Sequence, residues 1–88
     1  MIVWTDYLRY RADLRGFDLD VLEQILRYSS ERYVDAETGR QIVVGRHDTR
    51  LVMVAYEEPG GNMVPVTVHA ISRQQITFRL RMGRFINE

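Results

Sequence analysis

Apolar and polar positions along the chain change period near residue 31, from a helical spacing to a strand spacing, and they return to a helical spacing after residue 72. A short apolar, β-leaning stretch over residues 1–4 comes first. Thr5 or Asp6 then caps a helix that runs to about Arg15, where Gly16 supplies a stop. Asp18 caps a second helix whose Val21, Leu22, Ile25 and Leu26 form one apolar face, ending near Ser29 and Ser30. The short gap between them predicts a helical hairpin. Four strands are expected next, over residues 32–37, 41–47, 51–58 and 63–71. The turns Thr38-Gly39, Asp48-Thr49 and Pro59-Gly60-Gly61-Asn62 are short, which makes neighbouring strands mostly antiparallel.

Within this sheet, Leu51 to Tyr56 is apolar on both faces, as a central strand requires. In the last expected strand Val64, Val66 and Val68 alternate with Pro65, Thr67 and His69, which leaves one face polar or open. Pro65 has no N–H, so it calls for an edge, a bulge or a strand start. Ser72 and Gln75 have the spacing of a capping box and open a last helix, residues 73–82. Ile76 and Leu80 mark one apolar stripe of that helix; Phe78, Met82 and Phe85 mark another. One stripe suffices for a core. The second is either covered by a fold-back over Phe85 and Ile86 or is a face for a partner or a second copy. The fold class is thus α+β: a short N-terminal strand and helical hairpin, a four-stranded mostly antiparallel sheet and a C-terminal amphipathic helix, in one domain spanning residues 1–88.

Composition narrows the chemistry. The chain is 45% hydrophobic and 27% charged, within the range of folded domains rather than disordered tails. It has no cysteine, which excludes disulfides, thiolate metal ligands and cysteine nucleophiles. No secretory signal and no long apolar run is present, so the cytoplasm is the expected location and no membrane partner is expected. All twelve basic residues are arginine, yet the formal net charge is zero. Any contact with RNA must therefore come from a local patch rather than from a global basic field.

No phosphate-binding glycine loop, H-E-x-x-H or nucleophile elbow occurs, so no cofactor is expected, and two histidines are too few for a metal site. General acid–base chemistry is open through His69, on the polar side of its strand, with Arg73 one turn beyond. An imidazole that moves a 2′-hydroxyl proton and a guanidinium that stabilises a phosphorane would suit RNA cleavage. Arg46 and His47 at a hairpin corner, Tyr56 and Arg81 are candidate substrate contacts. Tyr7, Arg11 and Arg15 share one face of the first helix, with Tyr10 nearby; they are expected to bond the sheet edge or acidic partners.

The order of these elements resembles the RelE/ParE-like superfamily of type II toxins, and more narrowly the BrnT-like toxins and related uncharacterised small bacterial domains. The resemblance is carried by Val3-Trp4-Thr5-Asp6, Leu14-Arg15-Gly16-Phe17-Asp18, Thr38-Gly39-Arg40, Val44-Gly45-Arg46, the run from Leu51 to Tyr56, and Ala70-Ile71-Ser72. It departs from the family where Arg73-Gln74-Gln75 replaces a basic cluster and His69 falls near a usual arginine. It implies cleavage of mRNA at the ribosome and neutralisation by an antitoxin. The alternative on the same scaffold is a noncatalytic module that binds a protein or its own copy through Phe78, Met82 and Phe85.

Overall fold

A computed structural model describes all 88 residues. Three α-helices and five strands alternate as α1 (Asp6–Leu14), α2 (Leu19–Tyr28), β1 (Glu31–Asp35), β2 (Gln41–His47), β3 (Arg50–Glu57), β4 (Val64–Ala70), α3 (Arg73–Arg81) and β5 (Phe85–Asn87). The strands form one sheet in the order β4-β3-β2-β1-β5, with every neighbouring pair antiparallel. It follows that β4 and β5, at opposite edges, run in the same direction. They are joined by α3, which crosses one face. No helix is long and apolar enough to cross a membrane.

Local chemistry accounts for the helix ends. The Thr5 hydroxyl accepts from Leu8 N–H at 3.1 Å, and the Asp18 carboxylate accepts from Asp20 N–H at 2.8 Å. The capping box opening α3 is complete: Gln75 N–H donates to the Ser72 hydroxyl at 3.1 Å and Ser72 N–H to the Gln75 side chain at 2.9 Å. Behind α2, Arg32 closes the helix, donating to Leu26 O at 2.6 Å, Ser29 O at 3.0 Å and the Tyr56 hydroxyl at 2.8 Å.

Strand alternation divides the core in two. On one face Leu8, Ala12, Leu22 and Leu26 pack over Val43, Val52, Val54 and Val68, with α1 lying over β4 and α2 over β2. On the other, Ile76 of α3 packs over Tyr33, Ile42, Val44, Met53 and Phe85. Gly45 permits the close approach of α2, since a Cβ there would stand 2.8 Å from Ile25 Cγ1.

Two expectations change. Residues 1–4 form no strand of the sheet; Ile2 makes a single parallel bridge with Met63. A fifth strand, β5, pairs with β1 through Tyr33–Asn87, Val34–Ile86 and Asp35–Phe85. It is held there by Arg84, whose Nε and Nη2 donate to the two carboxylate oxygens of Asp35 at 2.8 and 3.0 Å. Asp35 also accepts from the backbone of Glu37 and Thr38, so one buried carboxylate organises both the β1–β2 turn and the last strand. Pro65 satisfies two of its three options: it lies in the edge strand, beside a bulge in the β3–β4 pairing.

Candidate functional site

Residues 7, 11 and 15 are one helical turn apart each, so they form a line along the flank of α1. Burial of Leu8 and Ala12 turns that flank toward β4, the sheet edge. The C-terminal end of α1 is fixed by Arg50, which donates to Arg15 O at 3.2 Å and Gly16 O at 2.9 Å while its guanidinium lies 4.4 Å from the centre of the Phe17 ring. The result is a cleft of about 120 Å³ whose floor is the edge segment Val66 to His69 and whose wall is Tyr7, Leu8, Arg11 and Arg15.

His69 borders this cleft at the β4 edge; its pairing with Met53 sets its side chain on the sheet face that α3 covers, opposite the face on which α1 packs, and there it is half-buried with Nδ1 2.9 Å from Ala70 O. A carbonyl only accepts, so Nδ1 carries the hydrogen and Nε2 of the neutral ring keeps a lone pair. The side chains of Tyr7, Arg11 and Arg15 form no hydrogen bond or ion pair within the protein. Sequence reasoning grouped these three but expected them to be spent on the sheet edge or on acids. The signal was the spacing of four on a helix whose other face is apolar; what it lacked was the edge strand the line would face.

Arg73 is elsewhere. Its Nη1 donates to Glu31 Oε2 at 2.6 Å. The cross-sheet row Glu31–Val44–Met53–His69 sets Glu31 and His69 on the same sheet face but three strands apart. At ~4.8 Å per strand, their backbones are about 14 Å apart. Burial acts to raise the Glu31 pKa, but hydrogen bonds from Arg73 and Tyr33 outweigh it and hold the carboxyl below its ordinary value. Burial, with the Glu31 hydrogen bond behind it, pushes the Tyr33 phenol up to about 12. Arg73 is thereby drawn into an ion-pair cluster on β1.

The remaining candidates scatter. His47 is buried; its Nε2 accepts from Asp18 N–H at 2.8 Å and its ring meets Phe17 edge-on at 5.4 Å, so it ties the β2–β3 turn to the start of α2 rather than facing a substrate. Tyr56 is likewise buried, its hydroxyl held by Arg32 and its phenol pKa raised by burial. Arg46 and Arg81 are exposed and unpaired but line no hollow with His69. Phe85 stacks on Tyr33 inside the second core and therefore leaves the outer stripe of α3. Phe78 and Met82 stay on that stripe, 60% and 66% exposed. With Gln74, Gln75, Arg79 and Arg84 they border a wider groove of about 460 Å³.

The wider groove has amides and guanidiniums but no imidazole or carboxylate, so it lacks a group to move a proton near neutral pH. The narrower cleft has two unpaired guanidiniums and a phenol on its α1 wall, and its floor strand carries an imidazole at the sheet edge, on the opposite sheet face. The guanidiniums can bind a phosphodiester, and the imidazole across the β4 edge can transfer a proton. No group of three or more His, Asp or Glu side chains gathers where a metal ion could be held. In comparisons with protein-family models, with curated proteins and with solved structures, the chain has no match.

Proposed function

We propose that the chain is a toxin-like endoribonuclease, independent of metal, whose reaction takes place in the cleft between α1 and β4. The observation that carries this reading is that Tyr7, Arg11 and Arg15 line one cleft whose floor strand carries His69 at the sheet edge, with both guanidiniums free of acidic partners. Arg11 and Arg15 hold the non-bridging phosphate oxygens of a single RNA strand. His69 Nε2 takes the proton of the 2′-hydroxyl; the 2′-oxygen attacks phosphorus, and the 5′-oxygen departs and is protonated by solvent. A 2′,3′-cyclic phosphate and a 5′-hydroxyl end result. The guanidiniums offset charge that grows on the phosphorane.

Two helices followed by an antiparallel sheet and a further helix support a RelE/ParE-like arrangement and, with it, an antitoxin as partner and mRNA as substrate. The fifth strand and the missing N-terminal strand are departures from the order that the resemblance implies. Arg73, which its spacing from His69 favours as a catalytic group, has a structural ion pair with Glu31, and Arg11 and Arg15 take its place in this reading. Inducible expression of the chain alone in a bacterial host tests the proposal. Growth arrest with mRNA cleavage, relieved by His69→Ala and by Arg11→Gln with Arg15→Gln, is the expected result. Normal growth and intact mRNA with folded protein present would refute it.

A second reading is favoured by the exposed Phe78 and Met82 beside the wider groove: a noncatalytic module that binds a protein or its own copy. Sedimentation of the wild type and of Phe78→Asp checks it. Self-association lost in the variant supports this reading, and a monomer in both removes the homo-oligomer.

A further inference from the structure

The outer face of α1 is not the polar surface that a solvent-facing helix ordinarily presents. Tyr7, Tyr10 and Leu14, at i, i+3 and i+7, are 63%, 62% and 60% exposed and form one stripe. Stability does not call for it, because α1 is anchored to the sheet through Leu8 and Ala12 on its opposite side. Neither tyrosine hydroxyl has a hydrogen-bond partner in the protein. Arg11 projects beside the stripe and Arg15 continues it one turn on, while Asp13 lies with Arg9 at a separate hollow by the start of α2. Exposed aromatic faces interleaved with unpaired guanidiniums thus lead to the cleft at the β4 edge that His69 borders.

We infer that this stripe is a stacking platform for single-stranded RNA, with Tyr7 and Tyr10 receiving unpaired bases and Arg11 and Arg15 following the backbone. The inference rests on the ribonuclease reading and names the form of its substrate. Rings on a convex helix reach the face of a base only when that base is unpaired, so duplex RNA offers them nothing to stack on. From residue 7 to residue 15 the helix rises about 12 Å. A stacked strand that rises about 3.4 Å per nucleotide places three to four nucleotides along that length. Charge favours the same occupant: Arg9, Arg11 and Arg15 outnumber Asp6 and Asp13 along this helix, none of them in an ion pair, so it is net cationic, which suits a polyanion carrying aromatic faces.

The test uses a short, end-labelled, fully 2′-O-methylated single-stranded RNA, which lacks the attacking hydroxyl, so binding is read apart from cleavage. Fluorescence anisotropy is recorded for the wild type, Tyr7→Ala, Tyr10→Ala and Tyr10→Phe, and for the same oligonucleotide annealed to its complement, with circular dichroism verifying the fold of each variant. Each alanine is expected to weaken binding by about tenfold, phenylalanine to retain it, and the duplex to bind more weakly than the single strand. Binding unchanged by both alanines, equal binding of the duplex, or no binding by the wild type would overturn the platform, the last outcome leaving the stripe to a protein partner. Tyrosine-dependent binding without cleavage of the unmodified strand would sustain the platform and remove the ribonuclease reading. Cleavage by a protein whose tyrosine variants bind normally would do the reverse.

Discussion

Gly45→Ala would place a methyl carbon 2.8 Å from Ile25 Cγ1, 2.9 Å from Cγ2 and 3.3 Å from Cβ. Comfortable carbon contacts are about 3.5–4.0 Å, so two atoms of a β-branched side chain must retreat together. Ile25 is buried between α2 and the sheet and cannot swing into solvent. Overpacking of this kind costs about 1–3 kcal/mol, while replacing a strand glycine recovers about 0.5–1 kcal/mol of chain entropy. The net expectation is a loss of about 1–2 kcal/mol. For a domain of this length that lowers the melting temperature by roughly 4–16 °C. Thermal and urea unfolding of Gly45→Ala, Ile25→Ala and the double variant measures it. In the Ile25→Ala background both of the closest contacts are gone, so the glycine substitution should be neutral or slightly stabilising, giving a coupling of about 1–3 kcal/mol. Gly45→Ala that is harmless alone, or equally harmful in both backgrounds, would refute the claim that α2 is seated by direct contact at this glycine.

Other consequences follow from the polar contacts. The Arg84 hydrogen bonds, with those from the Glu37 and Thr38 backbone, outweigh burial and hold the Asp35 pKa below its ordinary value. Its stabilising effect is therefore full above the unfolded carboxylate value of about 4 and is lost as pH falls through the lower folded value. Urea midpoints should drop on acidification below about pH 4, and Asp35→Asn should lower the midpoint at neutral pH while flattening that acid limb. Arg32→Met removes three hydrogen bonds and leaves the buried Tyr56 hydroxyl without its donor, so it should destabilise by about 3 kcal/mol in urea unfolding. Arg73→Ala breaks the Glu31 ion pair, yet in the ribonuclease reading it should change RNA cleavage much less than Arg11→Gln with Arg15→Gln, which kinetic comparison of the purified variants would check.

Local patterns in the sequence carried most of the architecture. Thr5, Asp18 and the Ser72–Gln75 pair cap helices through contacts two or three residues apart, and such contacts are visible in a string of letters. β2 likewise follows from a short β-branched run bounded by turn residues. β5 does not, because three residues are too few to display a period, and what holds it is Arg84 on Asp35, 49 positions away. The same limit applied to the site. Tyr7, Arg11 and Arg15 are a legible helical line, but their neighbour His69 comes from the far edge of a sheet whose strand order the sequence does not state. Conversely, His69 and Arg73 are close in sequence and share a sheet face, yet Arg73 is drawn toward β1 by Glu31. Phe85 was grouped with Phe78 and Met82 by extending a helical wheel past the glycine at 83, whose φ of +78° ends the helix and turns the chain toward β5.

The central claim is that His69 moves a proton during RNA cleavage in the cleft between α1 and β4. Its most direct test is incubation of the purified protein with an end-labelled single-stranded RNA in excess EDTA, with product ends identified, for the wild type and His69→Ala. The account predicts 2′,3′-cyclic phosphate ends from the wild type in the presence of the chelator and a rate lower by about 10²–10⁴ in the variant. No cleavage by folded wild-type protein, or cleavage unchanged in His69→Ala, would contradict it.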